Sequence, residues 1–210
     1  LRAVGLFSGG KDSLYAIYLA EREGVSVEQL ISLVPSVPGP SPHAENMKAI
    51  RILAGSMGKS LTIVDFNREE SFIEALEVLD VDALVAGDIF VEAHLTGLQD
   101  VCDKVGLKFL DPLYGKDTSE FFHEIFGLGF KALITGVDLK FLVEEWLGFT
   151  ISKKTGATFL SKIGEVDPLG ENGEFHTIVL ECPPYAKSFK VKSLERKFAE
   201  GMAYLNVTIV

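Results

Sequence analysis

Only two cysteines, Cys102 and Cys182, occur in the 210 residues. They have neither the Cys-x-x-Cys spacing of redox and zinc motifs nor enough company for a disulfide framework, and both are expected to be small buried hydrophobes. Apolar runs such as 83–86 and 178–180 fall far short of the roughly 18 to 20 residues that a membrane helix needs, which excludes a spanning helix. Residues 1–7 run straight into SGG without the pattern of a secretory leader, so the expectation is a cytoplasmic protein. Basic residues are scarce, 20 against 30 acidic, for a formal charge of -10. That balance opposes nonspecific binding to a nucleic-acid backbone. The one basic cluster, at 187–197, alternates like a strand, is interrupted by Glu195 and reads as a solvated strand face. His43, His94, His123 and His176 show none of the HxxxH or HExxH spacings that would make a zinc site.

What remains is the composition of a globular protein, 47% hydrophobic and 24% charged, long enough to bury a core. Short apolar runs alternate with helical patterns. Strands are expected at 4–7, 29–34, 61–65, 83–86, 107–110 and 132–137, and helices at 12–24, 44–57, 69–79, 90–105 and 119–126. This βαβ rhythm predicts an α/β fold with a doubly wound, mostly parallel sheet. Phe121, Phe122 and Phe126 at helical spacing are expected in the core. PSVPGPSPH at 35–43 carries four prolines in nine residues and must be an extended surface loop, a candidate lid or entrance. Past 137 the rhythm changes to short helices and then three strands, so a smaller α+β domain is expected at 138–210, after a first domain at 1–137. An active crevice is expected between the two.

LFSGGKDSL, at 6–14, leaves an apolar strand through two glycines and opens a helix with a lysine beside an aspartate. The carboxyl end of a first parallel strand commonly borders the ligand crevice. Ser8, Gly9 and Gly10 let the backbone approach an anion, and the helix start points its N–H groups at it. The common P-loop, GxxxxGK[ST], does not fit, because aspartate follows Lys11 and the loop is too short. GxGxxG is also absent.

SGGKDS in this strand-to-helix setting resembles the PP-loop, the SGGxDS signature of N-type ATP pyrophosphatases. The resemblance implies a Rossmann-like fold and cleavage of ATP between its α and β phosphates. Ser8, Gly9, Gly10 and Ser13 would hold pyrophosphate, Lys11 would offset charge on the leaving group, and Asp12 would help hold Mg2+. Later segments select one group of these enzymes. AGDI at 86–89, LDPLYG at 110–115, EEWLG at 144–148 and GENGEFHT at 170–177 resemble, in order, signatures of the diphthine-ammonia ligase family.

That family implies ATP and ammonia as substrates and elongation factor 2 as the protein acceptor, whose diphthine carboxyl is adenylylated and then amidated. Gly87 and Asp88 would serve the nucleotide. Glu174, as a catalytic residue, with Glu171, Trp146 and Thr177 would serve the acceptor. Carboxylates and an aromatic face such as Trp146 or Phe175 suit ammonium or the trimethylammonio group of diphthine. The chain departs from the family after Ile89, where FVEAHLTGLQDVC lacks the usual Tyr and Arg, and at Asn172 and His176, which replace a Gly and a Glu. A divergent PP-loop enzyme with another acceptor, tRNA included, and a nucleotide-binding module without turnover stay open, although the pair Lys11 and Asp12 argues for chemistry. His43, Glu45 and Asn46, beside the proline loop, are further candidates to reach the nucleotide. Oligomeric state, homo-oligomer included, is open.

Overall fold

The structure, a computed structural model, describes residues 1–35, 41–65, 67–87 and 92–210, with the backbone alone at 92–94. The described chain forms two compact units. One draws on Leu1–Ser8, Asp12–Pro38 and Gly58–Gly115, the other on Gly9–Lys11, Gly39–Met57 and Lys116–Val210. Among the described residues no helix is long and apolar enough to cross a membrane.

The first unit is built on five parallel strands: β1 (Arg2–Leu6), β2 (Ser26–Val34), β3 (Ser60–Asp65), β4 (Ala83–Val85) and β5 (Lys108–Leu110), in the order β3-β2-β1-β4-β5. Helices α1 (Lys11–Arg22), α4 (Glu69–Glu77) and α5 (Glu92–Val105) connect them. Strand residues alternate between the faces of the sheet. Val4, Ile31, Val64 and Leu84 pack with Phe72 and Leu76 of α4 and with Val101 and Cys102 of α5. On the opposite face, Ile17 of α1 sits where a side chain on Gly5 would go. Helices therefore cover both faces, as the βαβ alternation predicts. The order of strands reverses between β1 and β4, so the loops leaving those two strands border the switch point where open α/β sheets bind ligands.

The second unit is antiparallel. Strand β6 (Lys131–Asp138) pairs with β7 (Thr150–Ile151), β8 (Phe175–Glu181) and β10 (Met202–Ile209), and β10 pairs with β9 (Val191–Ala199). The expected strand at 132–137 is thus present, but in this second sheet; the sequence places a domain boundary just after it. Helix α6 (Thr118–Gly127) starts at Asp117, whose carboxylate accepts from the Ser119 and Glu120 N–H groups at 2.9 Å. It buries Phe121, Phe122 and Phe126, as its periodicity predicts. Phe122 lies 6.0 Å from the ring of Phe159 in the short helix α7 (Gly156–Leu160).

The helix expected at 44–57 is two helices, α2 (Pro42–Glu45) and α3 (Met47–Ser56). The break is at Asn46, which is 1% exposed. Its side-chain amide donates to the carbonyls of Pro42 and Leu205, and its oxygen accepts from the Val207 N–H, each at 2.7 Å. The chain interrupts the helix to seat this side chain on β10. Glu45 beside it accepts from Lys197 at 2.5 Å and from Asn206 at 2.7 Å, and these partners, Lys197 first, hold its carboxyl below the usual range. The rest of the 191–199 strand is largely exposed, the solvated face expected.

Both cysteines are free and buried. Burial pushes the thiols up, Cys102 to about 11 and Cys182 to about 12, where the reactive thiolate is scarce at neutral pH.

Candidate active site

The SGGKDS loop leaves β1 directly, and α1 begins at Lys11. Phe7 is tied to β2 at both its polar groups: its N–H donates to the Ile31 carbonyl at 2.8 Å, and its carbonyl accepts from the buried Ser32 hydroxyl. Ser8 and Ser13 face each other across the loop. The Ser8 N–H donates to Ser13 Oγ at 3.2 Å, and the two hydroxyl oxygens are 3.1 Å apart. Asp12 stands in the first turn of α1.

Gly87, at the end of β4, is glycine for a steric reason. A Cβ there would lie 2.8 Å from Asp12 O and 2.8 Å from Ala16 Cβ. The absent side chain lets Gly87 approach the first turn of α1. Asp88 lies outside the described residues, as do the proline-loop positions 36–40. Tyr114 of LDPLYG is half exposed and lines a 530 Å3 groove with Leu95, Thr96, Gln99, Asp100, Phe109 and Asp111. Among the described residues that line it, two are carboxylates and none is basic, a poor setting for phosphate.

Within the second unit, Lys11 is 2% exposed. Its ammonium donates to the Leu169 carbonyl and lies 5.0 Å from the centroid of the Phe175 ring. Its backbone N–H donates to Thr177 Oγ1 at 3.3 Å, and the Gly9 carbonyl accepts from the Val179 N–H at 2.9 Å. The GENGEFHT segment therefore builds the surroundings of Lys11. Gly170 has φ +72°, and a Cβ there would meet two atoms of the Phe175 ring at 2.8 Å. Asp167 shapes the turn before it, accepting from the Leu169 N–H at 2.8 Å and from the Thr118 hydroxyl at 2.8 Å. Sequence reasoning missed Asp167 and Leu169. The signal was the Asp-Pro-Leu-Gly run at 167–170, a turn in which aspartate caps its own backbone.

Glu174 is 4% exposed, and each of its carboxylate oxygens has a donor on Asn172: the backbone N–H at 2.9 Å and the side-chain amide at 3.0 Å. The Asn172 side chain thus supplies the second of these bonds. The Glu171 N–H has a long hydrogen bond, 3.4 Å, to Asp167 Oδ1. Trp146, in the 3-10 turn Glu144–Trp146, sets its ring edge-on to Phe149 at 5.0 Å and to Phe159 at 5.1 Å. Phe159 in turn meets Phe175 at 5.5 Å. An aromatic chain thus runs from Trp146 to the ring beside Lys11. On the other face of β8, His176 packs edge-on against His43 at 5.1 Å. Burial first, then His43 and Lys11, pulls the His176 imidazole down to about 3, so it is neutral at physiological pH.

One cation, one carboxylate, two hydroxyls and two glycines within six consecutive residues, at a helix start beside the switch point of a parallel sheet, fit a magnesium triphosphate. Asp12 is the carboxylate of that set, and a hard divalent cation takes oxygen ligands.

Two family models match along the chain. The model of the diphthamide synthase N-terminal domain matches residues 1–109, and that of the diphthamide synthase C-terminal domain matches 117–209. The diphthine–ammonia ligase of Danio rerio is 26% identical over 226 residues, covering 93% of this chain and 88% of its own. That of Mus musculus is 25% identical over 244 residues, covering 99% and 89%. A solved structure from Methanocaldococcus jannaschii, titled a predicted subunit of tRNA methyltransferase, is 20% identical with a TM-score of 0.43, covering 63% of this chain and 77% of its own. Likeness at that level carries no argument about function. Because the two domain models match in order over nearly its whole length, the chain belongs to the diphthamide synthase family of ligases.

Proposed function

We propose that the protein is an ATP-dependent ligase that turns the carboxylate of diphthine, on elongation factor 2, into an amide with ammonia. The observation that carries this reading is the placement of SGGKDS at the carboxyl end of β1, beside the switch point, within a chain of this family. A carboxylate resists attack by an amine because oxide is a poor leaving group. Activation proceeds by attack of a carboxylate oxygen on the α-phosphorus of ATP: the new oxygen–phosphorus bond forms as the α–β bond breaks, and pyrophosphate leaves. Ammonia then attacks the acyl carbon, AMP leaves with the bonding pair, and the nitrogen gives up a proton.

In this reading Ser8, Gly9, Gly10 and Ser13 hold the departing phosphates, and the Lys11 ammonium offsets their developing charge. Asp12 holds Mg2+, which would draw charge from the phosphate oxygens. Gly87 and Asp88 serve the nucleotide. Glu171 and Glu174 orient ammonium or the cationic diphthine side chain, with Trp146 supporting the aromatic wall that ends at Phe175. The test is nucleotide product analysis with MgATP and ammonium, with and without diphthine-bearing elongation factor 2. AMP and pyrophosphate that depend on the factor support the ligase. AMP formed without it points to another acceptor, and intact ATP to a binding module.

A further inference from the structure

The residues 175, 177 and 179 of β8 alternate onto one face of the strand and are all buried, Phe175 at 2%, Thr177 at 3% and Val179 at 0% exposure. β8 pairs with β6, and Gly9 accepts a hydrogen bond from the backbone of β8 at Val179. Two residues further on, the N–H of Lys11 meets Thr177 Oγ1. That N–H belongs to the first turn of α1, where backbone donors reach outside the helix for their partners. Gly9 and Lys11 are thus both fastened to the same strand, one by backbone and one by a side chain.

We infer that Thr177 is a positioning residue of the PP-loop: its hydroxyl oxygen fixes the backbone of Lys11, and through it the direction in which the ammonium is presented. The inference rests on the ligase reading for its kinetic readout but not for its structural one. It departs from the acceptor-binding role that the family resemblance implies, because the Thr177 oxygen faces Lys11 at hydrogen-bond distance. Isolating this one atom is straightforward. Valine keeps the β-branched shape that suits a strand and removes the acceptor, while serine keeps the acceptor and removes a methyl group.

The experiment compares wild type, Thr177→Val and Thr177→Ser by hydrogen exchange of the 8–13 amides and by steady-state AMP release. Thr177→Val is expected to speed exchange at Lys11 and to lower kcat roughly tenfold with the KM for the protein acceptor unchanged, the size of one lost hydrogen bond. Thr177→Ser is expected to restore both to within about threefold. A raised acceptor KM with kcat and exchange unchanged would show instead that Thr177 contacts the acceptor and overturn the inference. Wild-type exchange in the valine protein would overturn it too. If the wild-type protein releases no AMP with any acceptor, the ligase reading fails while the exchange comparison still decides the role of Thr177. Fluorescence of the single tryptophan, Trp146, shows whether each variant is folded, and the serine variant keeps the test open should valine unfold.

Discussion

The Lys11 ammonium lies 5.0 Å from the centre of the Phe175 ring, although 163 residues separate the two in the chain. The cation of the amino-terminal motif is therefore held by the carboxyl-terminal signature, and the glycine at 170 makes this arrangement possible by leaving room for the ring. A chain in which either signature stood alone would lack half of this contact.

Gly170→Ala tests that dependence. The substitution puts a side chain on a backbone at φ +72° and drives its Cβ to 2.8 Å from the Phe175 ring. The left-handed backbone costs about 1–2 kcal/mol for an L-residue and the overpacking about 1–3 kcal/mol more. The urea midpoint, followed by Trp146 fluorescence, should fall accordingly with little change in slope. An unchanged midpoint would show that the turn moves freely and that Gly170 does not set the place of Phe175.

Asn46→Ala should destabilise the protein by about 2–5 kcal/mol, because two carbonyls and one N–H lose their partner in a buried place. Asn46→Asp should fare little better. The carboxylate can still accept from Val207, but it sets negative charge against the carbonyls of Pro42 and Leu205. Denaturation curves of both variants check this, and wild-type stability in either would remove Asn46 as the reason for the break between α2 and α3.

The His176 imidazole stays neutral in the folded protein down to about pH 3 because burial, His43 and Lys11 all oppose its charge. An unfolded histidine takes up its proton near pH 6.5. Between these values the unfolded state binds the extra proton, so the stability is present above pH 6.5 and is lost as pH falls towards 3. The slope from this group is at most about 1.4 kcal/mol per pH unit. Urea unfolding at pH 7 and pH 5 should show His176→Gln losing less stability on acidification than the wild type. Equal losses would mean that His176 is accessible to its proton when folded.

The parallel sheet and the position of SGGKDS were legible because both are local: β1 to β5 each follow from a short apolar run, and the motif follows β1 at once. Sheet membership was not. The run at 132–137 looks like the strands before it, yet its partners lie at 150–151, 175–181 and 202–209, and no local pattern names them. The break at Asn46 has the same origin, since its partners Leu205 and Val207 are about 160 residues away. At the site, GENGEFHT stood out in the sequence as an acceptor segment, not as the surroundings of Lys11, and the Leu169 carbonyl could not be read at all, because any residue supplies a carbonyl and only the turn held by Asp167 aims this one.

The proposed ligase would make an amide from a carboxyl with ATP. The most direct measurement is mass spectrometry of diphthine-bearing elongation factor 2 after incubation with the protein, MgATP and isotopically labelled ammonium, beside a Lys11→Ala control. Amide synthesis at this site predicts labelled nitrogen at the diphthine carboxyl with one AMP released per amide, and a loss of about 10²–10³-fold in rate in the control. Factor that stays unlabelled while the wild-type protein consumes ATP, or labelling that persists undiminished without Lys11, would contradict it.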